Sequence, residues 1–268
     1  MGQRKFSNFA IETTLTLGAV FGLRLRQTEM SVRSLMDLMG QNLPVPDHTT
    51  LARRRRTVAV DMHAPGRKAP VDLVLDSTGL KFYGPGEWAR QKHGEKRRSW
   101  RKLHIAMDAG TGEILAHDLT NDDTSDTEMV TPLMENAGGQ IRRVLADGAY
   151  DGQPTYDAIR GASPPKPKPK IVINPRNTSI PDKGAAHGGT ERERHGNRIS
   201  EVGQIAWQKE TGYGLRSHGE TAIGRVKSKI GGKLTARTYG AQKSEISIQV
   251  AIANREIRAA KPNSIRVS

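Results

Sequence analysis

Ile141-Arg-Arg-Val-Leu-Ala-Asp147-Gly-Ala-Tyr-Asp151 reads as a short apolar strand that runs straight into an aspartate and a glycine turn. Upstream, Val71-Asp-Leu-Val-Leu-Asp76 reads the same way, a strand ending in Asp76 before Ser77-Thr78-Gly79. Between them, Leu103, Ile105 and Met107 alternate on one face of another strand. Gly110-Thr-Gly112 supplies a hairpin turn, and Glu113-Ile-Leu-Ala-His-Asp-Leu119 returns from it. Ser125-Asp-Thr-Glu128 is a capping box opening a helix through Met129, Leu133 and Met134 to Gly138.

Strand, strand, strand, helix, strand is the opening of a ribonuclease H-like fold, α/β with an α+β-type mixed sheet. A three-strand antiparallel meander is joined through a helix to a parallel strand beside the first. That topology makes Asp76 and Asp147 neighbours in space. Two adjacent carboxylates repel each other, so the pair makes sense as a divalent-cation site. Mg²⁺ takes oxygen ligands and keeps waters, so a few carboxylates plus a substrate phosphate suffice to hold it. A third acid lies in Tyr213-Gly-Leu-Arg216-Ser-His-Gly-Glu220-Thr-Ala-Ile-Gly-Arg-Val-Lys227. Read as one helix, this stretch puts Arg216, Glu220 and Lys227 on one edge, beside an apolar stripe of Ala222, Ile223, Val226 and Ile230. Three such acids suit two-metal phosphoryl transfer, with water or a DNA 3′-hydroxyl as nucleophile. Each acid has a plainer reading. Asp76 and Asp147 both precede turn residues, as do Asp108, Asp122, Asp123 and Asp151, and Asp151 is the nearest rival to Asp147. His104, Trp88, Trp100 and Trp207 read as structural.

The 268 residues carry 42 Lys and Arg against 28 Asp and Glu, a formal net charge of +14. That excess favours a polyanionic partner, nucleic acid first. With no cysteine, disulfides and thiolate-bound zinc are excluded. The apolar run Leu15 to Leu25 is broken by Thr16 and Arg24 and is too short to span a bilayer, so no membrane partner is expected. The expected location is the cytoplasm, on the nucleoid. One helix is expected over about 11–26 and a second, carrying Met30, Val32, Leu35, Leu38 and Met39, up to Gly40. Asp47 is the N-cap of a third, His48 to Arg56, which ends in Arg53, Arg54, Arg55 and Arg56. Together they read as a helix-turn-helix variant whose last helix meets DNA. The plainer reading of the four arginines is a solvated basic run.

With these residues assembled, the chain resembles the DDE transposases of bacterial insertion sequences. Within the insertion-sequence-four-like superfamily it is most similar to the insertion-sequence-five family. The resemblance runs from about Val71 to Ala253 and rests on Asp76-Ser-Thr-Gly, Trp100-Arg-Lys-Leu-His104 and Ala146-Asp-Gly-Ala-Tyr-Asp151. Its most specific feature is the spacing Tyr-x2-Arg-x3-Glu-x6-Lys, met by Tyr213, Arg216, Glu220 and Lys227. The resemblance implies that Asp76, Asp147 and Glu220 are catalytic and bind Mg²⁺ or Mn²⁺. It also implies that Tyr213, Arg216 and Lys227 grip double-stranded DNA at the transposon ends. The implied reaction is cleavage at terminal inverted repeats and strand transfer into target DNA, by a homodimer or larger synaptic complex. The expected organisation is a helical DNA-binding domain over 1–62, a linker over 63–70 and a catalytic domain over 71–260. A loop-rich insertion is expected around 161–211, including a solvated charged stretch from Glu191 to Arg198. Relatives usually carry more sequence ahead of their first helix.

Overall fold

The structure is a computed structural model describing residues 5–60, 69–82, 100–163, 167–176, 189–231 and 233–260. The linker expected over 63–70 falls almost wholly outside these residues, as does Trp88. The chain forms two compact units. One comprises Met1–Met62, Leu80–Arg101 and Arg225–Ser268; the other comprises His63–Gly79 and Lys102–Gly224.

In the first unit, α1 (Asn8–Val20), α2 (Leu25–Leu38) and α3 (His48–Arg54) pack with a long helix, α9 (Tyr239–Ala259). Their shared core contains Ile11, Leu15, Leu51, Val58, Ile248 and Ile252. Asp47 caps α3 as expected, its Oδ1 accepting from the N–H groups of Thr49 at 2.9 Å and Thr50 at 2.8 Å. The helix expected over 11–26 ends at Val20, and its last two residues, Leu25 and Arg26, open the second helix instead. Gly22, at φ 64°, turns the chain into a left-handed conformation that ends α1, and α2 begins three residues later. Several apolar residues of these helices are exposed: Val20 and Phe21 at the end of the first, and Met30, Leu38 and Met39, which the sequence places in the second. The buried face of α2 is narrow, holding only Thr28 and Val32.

The second unit is built on the sheet. Its strands are β1 (Val71–Phe82), β2 (Trp100–Asp108), β3 (Ile114–Asn121), β4 (Ile141–Ala146) and β5 (Lys170–Ile173), in the order β3-β2-β1-β4-β5. A two-residue strand, β6 (Lys233–Leu234), pairs in parallel with Lys81 and Phe82 of β1, and those residues belong to the first unit. Ala109 N–H donates to the carbonyl of Asp72, so the end of β2 lies against the start of β1. β1, β4 and β5 run parallel. This is the mixed sheet the strand order predicts.

Parallel strands need a crossover, and α4 (Val130–Ala137) lies on the one that takes the chain from β3 at the sheet's edge to β4 beside β1. The Ser125–Glu128 capping box forms with both hydrogen bonds, leading through a 3₁₀ turn into α4. One face of the sheet, with Val71, Leu73, Leu75, Val144, Ala146, Ile171 and Ile173, buries against α4 and α5 (Gln153–Gly161). Strand alternation then sends Asp72, Val74 and Asp76 to the opposite face. Asp76 sits within β1 rather than at its end, because the strand runs on to Phe82. Where a loop and a solvated charged stretch were expected, Glu191–Val202 forms α6 and Gln204–Thr211 forms α7. Thr190 and Glu193 make a capping box at the head of α6.

Asp72 anchors β1 to β4. Its carboxylate takes Arg142 Nε at 2.9 Å and Nη2 at 2.7 Å, and Arg143 Nη2 at 2.5 Å. The hydrogen bond from Arg142, followed by that from Arg143, holds the Asp72 carboxyl down at about 2. Its stabilising contribution is therefore complete above the ordinary aspartate range and disappears as pH falls toward 2. Asp72→Asn should lower stability at pH 7 by about 1–2 kcal/mol, a charged hydrogen bond discounted for the exposure of Arg142. Chemical denaturation at pH 7 and at pH 2.5 checks this, and the gap between native and variant should narrow at the lower pH.

Candidate active site

The parallel register pairs Leu75 with Ala146, so the next residues, Asp76 within β1 and Asp147 just past β4, stand side by side. Asp76 is buried, at 5 % exposure, and its Oδ1 accepts from Ser77 N–H at 2.8 Å. Asp147 follows the last residue of β4, and its Oδ1 accepts from Ala149 N–H at 2.9 Å, capping a 3₁₀ turn. Glu220 lies in the first turn of α8 (Ser217–Ile230), with its side chain largely exposed.

One guanidinium joins the three acids. Arg216 Nη1 lies 2.5 Å from Glu220 Oε1, while Nη2 lies 3.3 Å from Asp147 Oδ2 and 3.8 Å from Asp76 Oδ2. Burial pushes the Asp76 carboxyl up. Ser77 N–H and Arg216 oppose that shift, and Asp147 and Glu220 add to it. Burial alone would pull Arg216 down, but Asp76 and Asp147, with the hydrogen bond to Glu220, outweigh it and raise the guanidinium. Arg216 is not helical, as the periodicity predicts, but belongs to a 3₁₀ turn over Tyr213–Arg216. That turn follows Gly212, whose positive φ of 70° ends α7. A Cβ at Gly212 would stand 2.5 Å from Arg143 Nη1, which itself donates to the Thr211 carbonyl at 2.8 Å. Asp72 and Arg143 thus hold the segment that carries Arg216.

Gly219 brings α8 down onto β1. A Cβ there would meet Asp76 Oδ2 at 2.9 Å and Val74 Cγ1 at 3.1 Å. His218 Nδ1 also lies 3.0 Å from the Ala109 carbonyl. Gly212, Gly219, Arg143 and Asp72 were not singled out in the sequence. For the glycines, the only signal is a residue without a side chain beside a functional one.

The Tyr213 ring lies 5.3 Å from that of the fully buried Trp207, tilted by 42°, and burial pushes the Tyr213 phenol up. Lys227 is on α8, in the stretch assigned to the first unit. The rival Asp151 is spent elsewhere: it takes Arg192 Nε at 2.7 Å, Arg192 Nη2 at 3.1 Å and the Arg176 N–H at 2.9 Å. His104 is buried in a tie to Thr120 and Asp126, a structural place. Of the four arginines, Arg53 and Arg56 are exposed. Arg54 is tied inward to the Phe6 carbonyl and to Asn8, and Arg55 is partly desolvated, which lowers it. Arg55 lines a cavity of about 1130 Å³ within the first unit, with Arg24, Arg26, His48, Lys233 and Arg237. Of these arginines and the lysine, only Arg55 was singled out as a DNA contact in the sequence, because the others come from separate segments of the chain.

Three carboxylates carried by β1, β4 and α8 are hard oxygen donors of the kind that suits a divalent cation. Among the described residues they do not close into a ready metal-ligand set. The guanidinium stands in the space between them. The donor chemistry fits, and a positive group already occupies its centre.

Two family models, each described as Transposase DDE domain, match the chain, one over residues 67–255 and the other over residues 2–85. DDE transposase domains work with divalent metal ions. Among the described residues no helix is long and apolar enough to cross a membrane.

The close approach at Gly219 sets up a contrast with Gly224 on the same helix, where an added Cβ meets nothing. Glycine to alanine inside a helix gains about 1 kcal/mol. At Gly219 that gain should be outweighed by an overpacking cost of about 1–3 kcal/mol. Gly224→Ala should therefore raise the melting temperature and Gly219→Ala lower it, as read by calorimetry.

Proposed function

The chain belongs to the DDE transposase family and is a DDE-type DNA transposase; from that premise we propose that it binds the terminal inverted repeats of its own element, cuts there, and joins the freed 3′-ends to target DNA. We assign catalysis and metal holding to Asp76, Asp147 and Glu220. The observation that supports this is their convergence, from two adjacent parallel strands and a helix, on one guanidinium. Nothing in packing calls for a buried Asp76 facing two more acids, and the arrangement costs stability unless a cation is present.

The three carboxylates would hold Mg²⁺ or Mn²⁺. When bound, such an ion activates a water or a 3′-hydroxyl and neutralises charge developing on phosphate. The rest falls to the chain's own groups. β1 and β4 fix Asp76 and Asp147 rigidly, and the exposed Glu220 closes the set from the solvent side. Arg216 offers a planar fork that matches two phosphate oxygens, and Lys227 a mobile point charge. Tyr213, wedged against Trp207, presents a phenol at a fixed place. The exposed Arg53 and Arg56 and the cavity cations of the first unit make the basic surface for the DNA backbone. Because two element ends must be held together, the working form is a homodimer or a larger synaptic complex on DNA.

The test is nicking and joining of supercoiled plasmid carrying the element's ends, with Mg²⁺. Asp147→Asn should reduce both reactions about 10³-fold, since a metal's charge stabilisation is worth several kcal/mol, while leaving DNA binding within about twofold. Equal cutting by both proteins would show that the acids are wrongly assigned.

A further inference from the structure

We propose that Arg216 is the resident cation of the metal-free acid cluster and gives way when a divalent metal enters. This rests on reading Asp76, Asp147 and Glu220 as the metal-holding residues. Arg216 Nη2 lies between Asp147 and Asp76, the two acids on adjacent strands, while Nη1 takes Glu220. The placement is that of a counter-ion for all three charges rather than a partner of one. The fit is also incomplete. Among the described residues, the buried Nε of Arg216 has no hydrogen-bond partner, so the guanidinium is satisfied along one edge only.

A small divalent ion does better in the same place. It carries twice the charge and approaches each oxygen at about 2.0–2.1 Å, far closer than a guanidinium nitrogen. Release needs no backbone movement, because Arg216 is a long side chain at the mouth of the cluster and is about one-fifth exposed. The turn that carries it stays pinned through Gly212 and Arg143. Once free, the same fork is available to a DNA phosphate. Metal entry and release of the phosphate-binding arginine would then be one event, and metal affinity would be reduced by the fraction of molecules in which Arg216 holds the site.

A permanent structural pin predicts the opposite sign. Removing a pin loosens the acids and weakens metal binding, whereas removing a placeholder tightens it. The experiment is Mn²⁺ titration of the full chain without DNA, by calorimetry and by electron paramagnetic resonance of free Mn²⁺. It compares the native protein with Arg216→Ala, Arg216→Gln and Asp147→Asn. The expected result is an Mn²⁺ Kd about tenfold lower in both Arg216 variants. In chelator these variants should also melt lower than the native protein, with the gap closing when Mn²⁺ is added. If Arg216→Ala does not fold, Arg216→Gln, which keeps most of the side-chain volume, carries the comparison. Native binding that Asp147→Asn weakens, with Arg216 variants no tighter than native, overturns this inference and leaves the metal-site assignment standing. Absence of Mn²⁺ binding that depends on Asp147 overturns both.

Discussion

Like charges at close range are the constraint on which this molecule turns. The register of β1 against β4 puts Asp76 beside Asp147, and one of the pair is buried. A carboxylate in that position resists ionisation unless something positive stands near it. Arg216 stands there, and the neighbouring structure serves to place it. Asp72 grips Arg142 and Arg143, Arg143 grips the carbonyl at the end of α7, and Gly212 turns the chain so that Arg216 enters the cluster. The same face of β1 carries Asp72, Val74 and Asp76 in alternation. One strand face therefore holds the anchor, the packing contact for α8 and the acid.

Rigidity is bought on the other face of the sheet. Leu73, Leu75 and Val144 are fully buried against α4 and α5, and burying apolar side chains of this size contributes about 1.5–3 kcal/mol each. That outweighs the strain of one desolvated acid facing two others. The division of labour follows from the two-residue period of a strand, which leaves one face free for unfavourable chemistry while the other supplies the stability.

Much of this was legible in the sequence, and the reasons are physical. Asp76 and Asp147 stand beside apolar strands whose order dictates their pairing, and Glu220 lies at a specific spacing from Tyr213, Arg216 and Lys227. Local signals with a fixed geometry also carried through: the Asp47 cap, the Ser125–Glu128 box and the Gly110–Gly112 turn. What was not legible depended on partners distant in sequence. A run of four arginines looks uniform, yet Arg54 turns inward to Phe6 and Asn8, residues more than forty positions away. The charged stretch from Glu191 looked solvated, although Thr190 and Glu193 form the same capping box that was recognised at Ser125. It was missed because few apolar residues follow it: α6 buries only His195, Gly196 and Ile199.

Asp151 shows how two acids that the pattern treats alike come to stand in different surroundings. It lies four residues beyond Asp147 in one short motif, and turn propensity treats both alike. Their surroundings differ. The side chain of Asp151 is fully buried and takes a two-pronged pair from Arg192, so both of its oxygens are occupied. Asp147 is about one-third exposed, keeps Oδ1 on a backbone N–H and turns Oδ2 toward Arg216. A carboxylate saturated by a fitted guanidinium is a fastener. One that shares a guanidinium with two other acids, at distances out to 3.8 Å, is held loosely enough to exchange its partner for a better cation.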